Sequence, residues 1–463
     1  MIDFQQLIEE HGHEALNLVD KHVNPTFAKV LRILGYDIRY VKGKAQYLYD
    51  EQGTQYIDGL AGFGTFAVGR NHPTIRNALK QVMDLDLPNL PKFGIPSLSG
   101  LLAEKLLETA PGELDTAYFC NGGAEAIETA IKYARAATGR NRIISCEKSY
   151  HGLSFGALSA TASHEFQDGF GPLLPGISSI PYNDIPALET ALATNDIAAF
   201  IVEPIQGKAL YIPDDNYLTQ AAELCKKHNT ILIADEIQTG LGRTGKLWAC
   251  DHQNVQPDIL CSSKALSGGY IPVAAVLTKR WIHNKVFSSL DRVVVHSSTF
   301  GQNDLAMAAG LATLHVLKEE HLVENAAQVG NYLITGLKQL KDEFELVADV
   351  RGKGLMFAIE FGPPKSLKLK PAWSIVRAAG KGVFPQAVLI PLLKEHHVLA
   401  LVAGHQQDVI KMTPALTLTT QDADHIINAF RKTIADCHRF PGPAWKITKQ
   451  VSSHRLNLSK SHA

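Results

Sequence analysis

The stretch from Ile231 to Leu266 constrains this 463-residue chain more than any other. An unbroken apolar run, Ile231-Leu232-Ile233-Ala234, ends in Asp235-Glu236-Ile237-Gln238-Thr239-Gly240. A second run, Asp258-Ile259-Leu260-Cys261, ends in Ser262-Ser263-Lys264-Ala265-Leu266. Short apolar runs that stop on charged residues suit parallel strands buried on both faces, which deliver those charges to the carboxyl edge of an α/β sheet. Such sheets bind ligands at that edge.

A lysine and an aspartate at that edge suit the chemistry of pyridoxal 5'-phosphate (PLP). The lysine amine attaches the cofactor's aldehyde, and the carboxylate keeps the pyridine nitrogen protonated so that the ring withdraws electrons. Each residue has a plainer reading by itself, the lysine as a solvated surface group and the Asp-Glu pair as a loop or helix cap. Here DEIQTGLGRTG and SSKALSGG occur in order, with Asp235 and Lys264 29 positions apart. The pair closely resembles the two central motifs of the class III, or ornithine-type, aminotransferases of PLP fold type I. The resemblance implies Lys264 as attachment point and as general base and acid, Asp235 against the ring nitrogen, Gln238 at the phenolic oxygen and Ile237 on one ring face. An ordinary lysine amine, of pKa about 10.4, is protonated at neutral pH, so Lys264 needs burial to serve as a base.

The bulk properties are ordinary for a soluble globular protein. With 45% apolar and 20% charged residues the chain has material for a large core. A net charge of −1 provides no electrostatic attraction to nucleic acid or an anionic membrane. Six cysteines lack C-x-x-C spacing and sit mostly in apolar segments, as buried thiols of a reducing compartment do. They suggest no metal site. The first residues, MIDFQQLIEEHGHE, have neither the basic region nor the apolar centre of a signal peptide. Nor does any apolar run approach the roughly 20 residues that span a bilayer, so the expected location is the cytoplasm.

Residues 3–22 carry Phe4, Leu7, Ile8, Ala15, Leu18 and Val19 at helical spacing, interrupted by Gly12, and predict one or two helices lying on the body of the protein. Strand-like runs at 38–41 and 47–49, with turns at 42–44 and 51–53, predict a small meander. The glycine-rich GLAGFGTFAVG, 59–69, reads as loop punctuation. The resemblance makes it the lining of an active-site entrance, with Phe63 and Phe66 as pocket walls.

A strand at 117–120 meets Gly122-Gly123 and then a helix to about Thr138, with Ile127, Ile131 and Ala134 as its apolar stripe and Gly139 after its end. Backbone N–H groups and the helix dipole favour an anion at such a start. Followed by AEAIETAIKYAR, the turn resembles the family's phosphate-binding turn, with Gly123 and Ala124 as donors. Gly122 stands where the family usually has Ser or Thr, which removes one side-chain contact. Ser149-Tyr150-His151-Gly152 resembles a motif whose aromatic stacks on the cofactor ring, here Tyr150, with His151 as a packed neighbour. Thr299, in VVVHSSTFGQNDL (293–305), corresponds to the family's donor to the phosphate of the neighbouring subunit and implies a homodimer. Without the resemblance this loop reads as a cap for a helix from Asp304.

Strands alternating with helical segments from 115 to 280 predict one large α/β domain with a mostly parallel sheet. The resemblance implies PLP fold type I, with a large PLP-binding domain, 57–310, whose seven-stranded sheet is flanked by helices. A small α+β domain is formed by 1–56 and 311–440, with strands at 355–361, 398–402 and 409–412 and a Pro/Lys-rich loop at 362–371. The tail, 441–463, has no apolar period and reads as partly disordered.

The substrate side departs from the family. Lys411 replaces the arginine that commonly holds the α-carboxylate. Leu153 stands where many members have a cation, and Lys208 replaces a glutamate of dual-substrate members. Lysine lacks arginine's two parallel bonds to a carboxylate. Three readings of these residues stand side by side: an apolar wall at Leu153 that admits amines, a monodentate carboxylate grip by Lys411, and a dianion site made by Lys208 with Lys411. At the level of function the resemblance implies a PLP-dependent aminotransferase that moves an amino group between an amine or amino acid donor and an aldehyde or keto acceptor. The alternatives are an aminomutase, racemase or decarboxylase on the same scaffold, whose cofactor machinery is shared, and a non-catalytic relative, which intact Lys264, Asp235 and Gln238 argue against.

Overall fold

The computed structural model describes residues 2–91, 94–439, 441–449 and 451. Its centre is a seven-stranded sheet in the order Thr116–Cys120, Ala274–Thr278, Ile259–Ser262, Ile231–Asp235, Ile197–Val202, Arg142–Cys146 and Ile177–Ile180. Ala274–Thr278 is antiparallel to both of its neighbours, and the other pairings are parallel. The two apolar runs of the central stretch are adjacent strands, with Asp235 opposite Cys261. Each is buried along its whole length, as expected for strands covered by helices on both faces.

One of those covering helices, Gly123–Thr138, buries Ile127, Ile131 and Ala134 and ends on Gly139 in the left-handed region, as its sequence predicts. Side chains from the sheet face it across an apolar cluster that includes Ile143, Ile201, Ile233 and Val276. A second sheet, Val347–Lys353, Met356–Phe361, Val409–Met412 and Leu401–Ala403, is antiparallel throughout. The N-terminal meander, Tyr40–Lys44, Tyr47–Asp50 and Gln55–Asp58, is joined in parallel by the C-terminal strand Val398–Leu399. Segments from the N-terminal and C-terminal parts of the chain therefore share a sheet.

Four local expectations are corrected. Lys42-Gly43-Lys44 belongs to a strand, and the turn falls at Ala45-Gln46, where Ala45 takes φ 51°. Pro371 opens the helix Lys370–Ala379 instead of ending a loop; proline suits a first turn, where its missing N–H has no intrahelical acceptor. The N-terminal helices form as Phe4–His11 and Ala15–His22, yet Phe4, Leu7, Ile8 and Leu18 stay exposed. An apolar stripe specifies that a face wants cover, not which body supplies it. Residues 443–449 of the tail are helical, and Trp445 is buried, its ring 6.0 Å from that of Phe384 and its Nε1 donating to the Cys437 carbonyl at 2.9 Å. One tryptophan anchors a segment too short to display a period. The rest of the tail, 452–463, lies outside the described residues.

All six cysteines are free and buried. Among the described residues no helix is long and apolar enough to cross a membrane, and no group of three or more His, Cys, Asp or Glu could hold a metal ion.

Candidate active site

A cavity of about 900 Å³ opens at the carboxyl edge of the large sheet. Asp235 reaches it as the last residue of its strand, and Lys264 reaches it two residues beyond the next. Lys264 begins a short 3-10 turn, Lys264–Ser267, with φ 25°. Burial holds its pKa below the ordinary lysine range, against the pull of Asp235 and Glu203.

The floor of the cavity is a network of buried charge. His151 Nδ1 lies 2.7 Å from Asp235 Oδ2, and Oδ1 accepts from the Ile237 backbone N–H at 3.1 Å. Burial works against a charged imidazole at His151. The Asp235 bond and charge, with Glu203 beyond, outweigh it and raise the pKa. With a proton on Nδ1, His151 fixes the plane of the carboxylate. His151, expected as a packed neighbour, is therefore bonded to the carboxylate itself. Gly152 makes this approach possible: at φ 130° it leaves a Cβ no room, since one would lie 2.7 Å from Ala124 Cβ. That contact sets the Tyr150-His151-Gly152 segment directly on the turn that opens the Gly123 helix.

Glu203 is a site residue that the sequence reading passed over. It directly follows the strand Ile197–Val202 as Asp235 ends its own, and the same signal would have found it. Its carboxylate accepts from the backbone N–H of Tyr150 at 2.9 Å and of Gly207 at 2.7 Å. Burial, first, and Asp235 raise its pKa, while His151 and the two N–H bonds oppose them.

Gly123, Ala124, Tyr150, Asp235, Ile237, Gln238 and Lys264 all line the one cavity. Gly122 is extended and without a side chain, and the helix opens at the cavity, on Gly123 and Ala124, with no side-chain cap. A phosphate at those N–H groups, an aldehyde at Lys264 and a ring nitrogen at Asp235 match this donor set, so the residues fit PLP. Thr299 does not line the cavity. It sits on an exposed loop whose Ser298 accepts from Asn121 Nδ2 at 2.8 Å, and the cap of the following helix, Asp304–Glu319, is Asn303.

Of the substrate-side residues, Phe63, Leu153, Lys208 and Lys411 line the cavity and Phe66 does not. Phe66 is partly buried, with the Arg70 guanidinium 4.1 Å from its ring centre, which corrects the expectation of a second phenylalanine wall. Lys208 is ion-paired with Glu165 and lies 4.4 Å from the Phe166 ring centre; that ring stands edge-on to Tyr150 at 5.2 Å. Glu165 and Phe166 come from the four-residue helix His164–Gln167, which has no signature in the sequence. Lys411 is buried and donates to the Gly207 carbonyl at 2.5 Å and to Gln238 Oε1 at 3.1 Å. Because Lys208 has its own carboxylate partner, the two lysines do not form the free dianion pair that was one reading of their sequence positions.

Comparison with known proteins agrees with this arrangement. The family model Aminotransferase class-III matches residues 33–434. An ornithine aminotransferase from Toxoplasma gondii ME49 is 32% identical with a TM-score of 0.77, over 88% of this chain and 94% of that one. An acetylornithine aminotransferase from Elizabethkingia anophelis is 34% identical with a TM-score of 0.70, over 88% and 98%. An amine transaminase from an uncultivated Pseudomonas species, in its PLP-bound form, is 28% identical with a TM-score of 0.77, over 86% and 95%. With a carboxyl-edge lysine and aspartate in one cavity and the family match along most of its length, the chain belongs to the class III aminotransferases, PLP-dependent transferases of fold type I that move an amino group.

Proposed function

We propose that one half-reaction of this enzyme takes an amine with no carboxylate on the reacting carbon. The observation that carries this is the state of Lys411, the residue in the place of the usual carboxylate grip. Its amine is buried and already bonded to the Gly207 carbonyl and Gln238. Leu153, half-exposed on the cavity wall, adds apolar surface and no cation. Burial, with Lys264 and Arg243 nearby, lowers the Lys411 pKa to about 7, so it is a weak source of positive charge at neutral pH. Likeness to an amine transaminase supports the same reading. The test is a panel of single half-reactions read by release of the carbonyl product. Simple amines should react, whereas efficient exchange between glutamate and an ordinary 2-keto acid, with no amine accepted, would overturn the proposal. An aminomutase, racemase or decarboxylase would release an amino compound and no such carbonyl product.

When bound, the cofactor supplies an aldehyde that takes up the amino group and a ring that withdraws electrons from the substrate carbon. Lys264 is assigned the attachment and the proton transfer at that carbon; its lowered pKa supports a base at neutral pH. Asp235, oriented by His151, would hold the ring nitrogen's proton. Gly123 and Ala124 would bind the phosphate, Tyr150 and Ile237 would pack on the ring, and Gln238 would meet the phenolic oxygen. Each copy's Thr299 would serve the other copy's site in a homodimer. Exposed Val293, Val294 and Phe300 beside it support such cover, since apolar surface grouped in this way usually marks an interaction site. The chain would divide into a large domain, 57–310, and a small one, 1–56 with 311–440, the second boundary falling inside the helix Asp304–Glu319. Six free thiols support a reducing compartment such as the cytoplasm.

A further inference from the structure

We infer that Lys411 is a positioning residue for Gln238: its N–H groups fix which end of that amide faces the cavity. An amide has an accepting and a donating end that are otherwise free to exchange by a half-turn. An ammonium or amine that donates to one end decides between them. Lys411, on the strand Val409–Met412, is held in register between Ala358 and Leu401 of its neighbouring strands, and its Nζ lies 3.1 Å from Gln238 Oε1 and 2.5 Å from the Gly207 carbonyl oxygen. Gln238 Nε2 then donates to the Phe63 carbonyl at 3.2 Å. Its second hydrogen remains for an acceptor in the cavity.

Gly207 provides an independent sign that the amide oxygen has a built seat. A Cβ on Gly207 would lie 2.1 Å from Gln238 Oε1, so the oxygen occupies the space a side chain would take. Gly207 itself is pinned on its other side by its N–H bond to Glu203. The arrangement needs two N–H bonds from Lys411 and no charge. A neutral amine has two N–H groups, and a pKa of about 7 is compatible with that role. A carboxylate grip, by contrast, requires the cation.

The inference rests on the cavity being the PLP site with Gln238 at the phenolic oxygen. It is tested in full-length protein reconstituted with PLP, with no substrate, by the pH midpoint of the bound cofactor's visible absorption change and by its dissociation constant. Loss of one oriented hydrogen bond should weaken PLP binding by up to about tenfold and raise the midpoint by about one unit in Lys411→Met. Gln238→Ala should do the same, and the double variant should add nothing to it. Lys411→Gln, a neutral side chain that still donates an N–H, should return the midpoint towards wild type. It also serves if Lys411→Met does not fold. The inference is overturned if Lys411→Met keeps the wild-type midpoint and PLP affinity but loses inhibition by acetate, for then the lysine is a carboxylate grip, or if Lys411→Gln fails to bring the midpoint back towards wild type. It is equally overturned if the effects of Lys411→Met and Gln238→Ala simply add. Wild-type protein with no visible cofactor band would remove the underlying reading of the cavity.

Discussion

The inner and outer walls of the cavity are held in place by different means. On the inner wall Asp235 and Glu203 come from consecutive parallel strands, and Lys264 from just beyond the next one, so the ladder of the sheet sets their spacing. The two carboxylates are buried, and each accepts bonds from the protein itself. On the outer wall, Phe63 and Leu153 are half-exposed, and Lys208 is tied to Glu165 of a four-residue helix. The inner wall resists change because moving one charge leaves another buried without its partner. The outer wall has no such coupling, and its residues change the fit of a substrate without disturbing the chemistry beneath.

This contrast can be broken by mutation. Lys264→Ala should reduce multiple turnover by about ten-thousandfold or more, since it removes both the attachment and the base; near-normal turnover would sink the inner-wall assignment. Asp235→Asn should bind PLP and fold, yet lose about a thousandfold in rate, equal to roughly 4 kcal/mol of barrier. A rate within tenfold of wild type would show that the ring nitrogen does not depend on Asp235.

Lys411, between the two walls, should reveal itself in stability against pH. Its pKa is about 7 in the folded chain against an ordinary 10.5. Between those values the unfolded chain carries a proton that the folded chain lacks, so wild-type stability should gain with rising pH from about 7 to 10.5. Lys411→Met lacks that gain, and denaturation of the two proteins at pH 6 and pH 9 measures it. Parallel curves would mean that Lys411 is charged when folded. The smallest effect belongs to the outer wall. Lys208→Met should change KM for substrates with a charged tail by a few-fold, leave kcat within about twofold, and cost under about 1 kcal/mol of stability. A large fall in kcat with KM unchanged would place Lys208 on the inner wall.

Much of this protein was determined by sequence alone, for a physical reason. Strands buried on both faces must be apolar throughout, so a charge at the end of such a run stands out; Asp235 and Lys264 were legible on that basis, and Glu203 was equally available. The Gly123–Thr138 helix was legible because periodicity, first-turn acids and a terminal glycine all agree. Tertiary structure alone decided what lies between distant segments. It set the His151 bond to Asp235, the seat of Lys411 on Gly207 and Gln238, the pairing of Lys208 with Glu165, and the anchoring of the tail by Trp445. None of these has a period or a local motif. Each depends on two segments meeting at a particular register, and a hydrogen bond or ion pair is decided by tenths of an ångström that only the packed chain supplies.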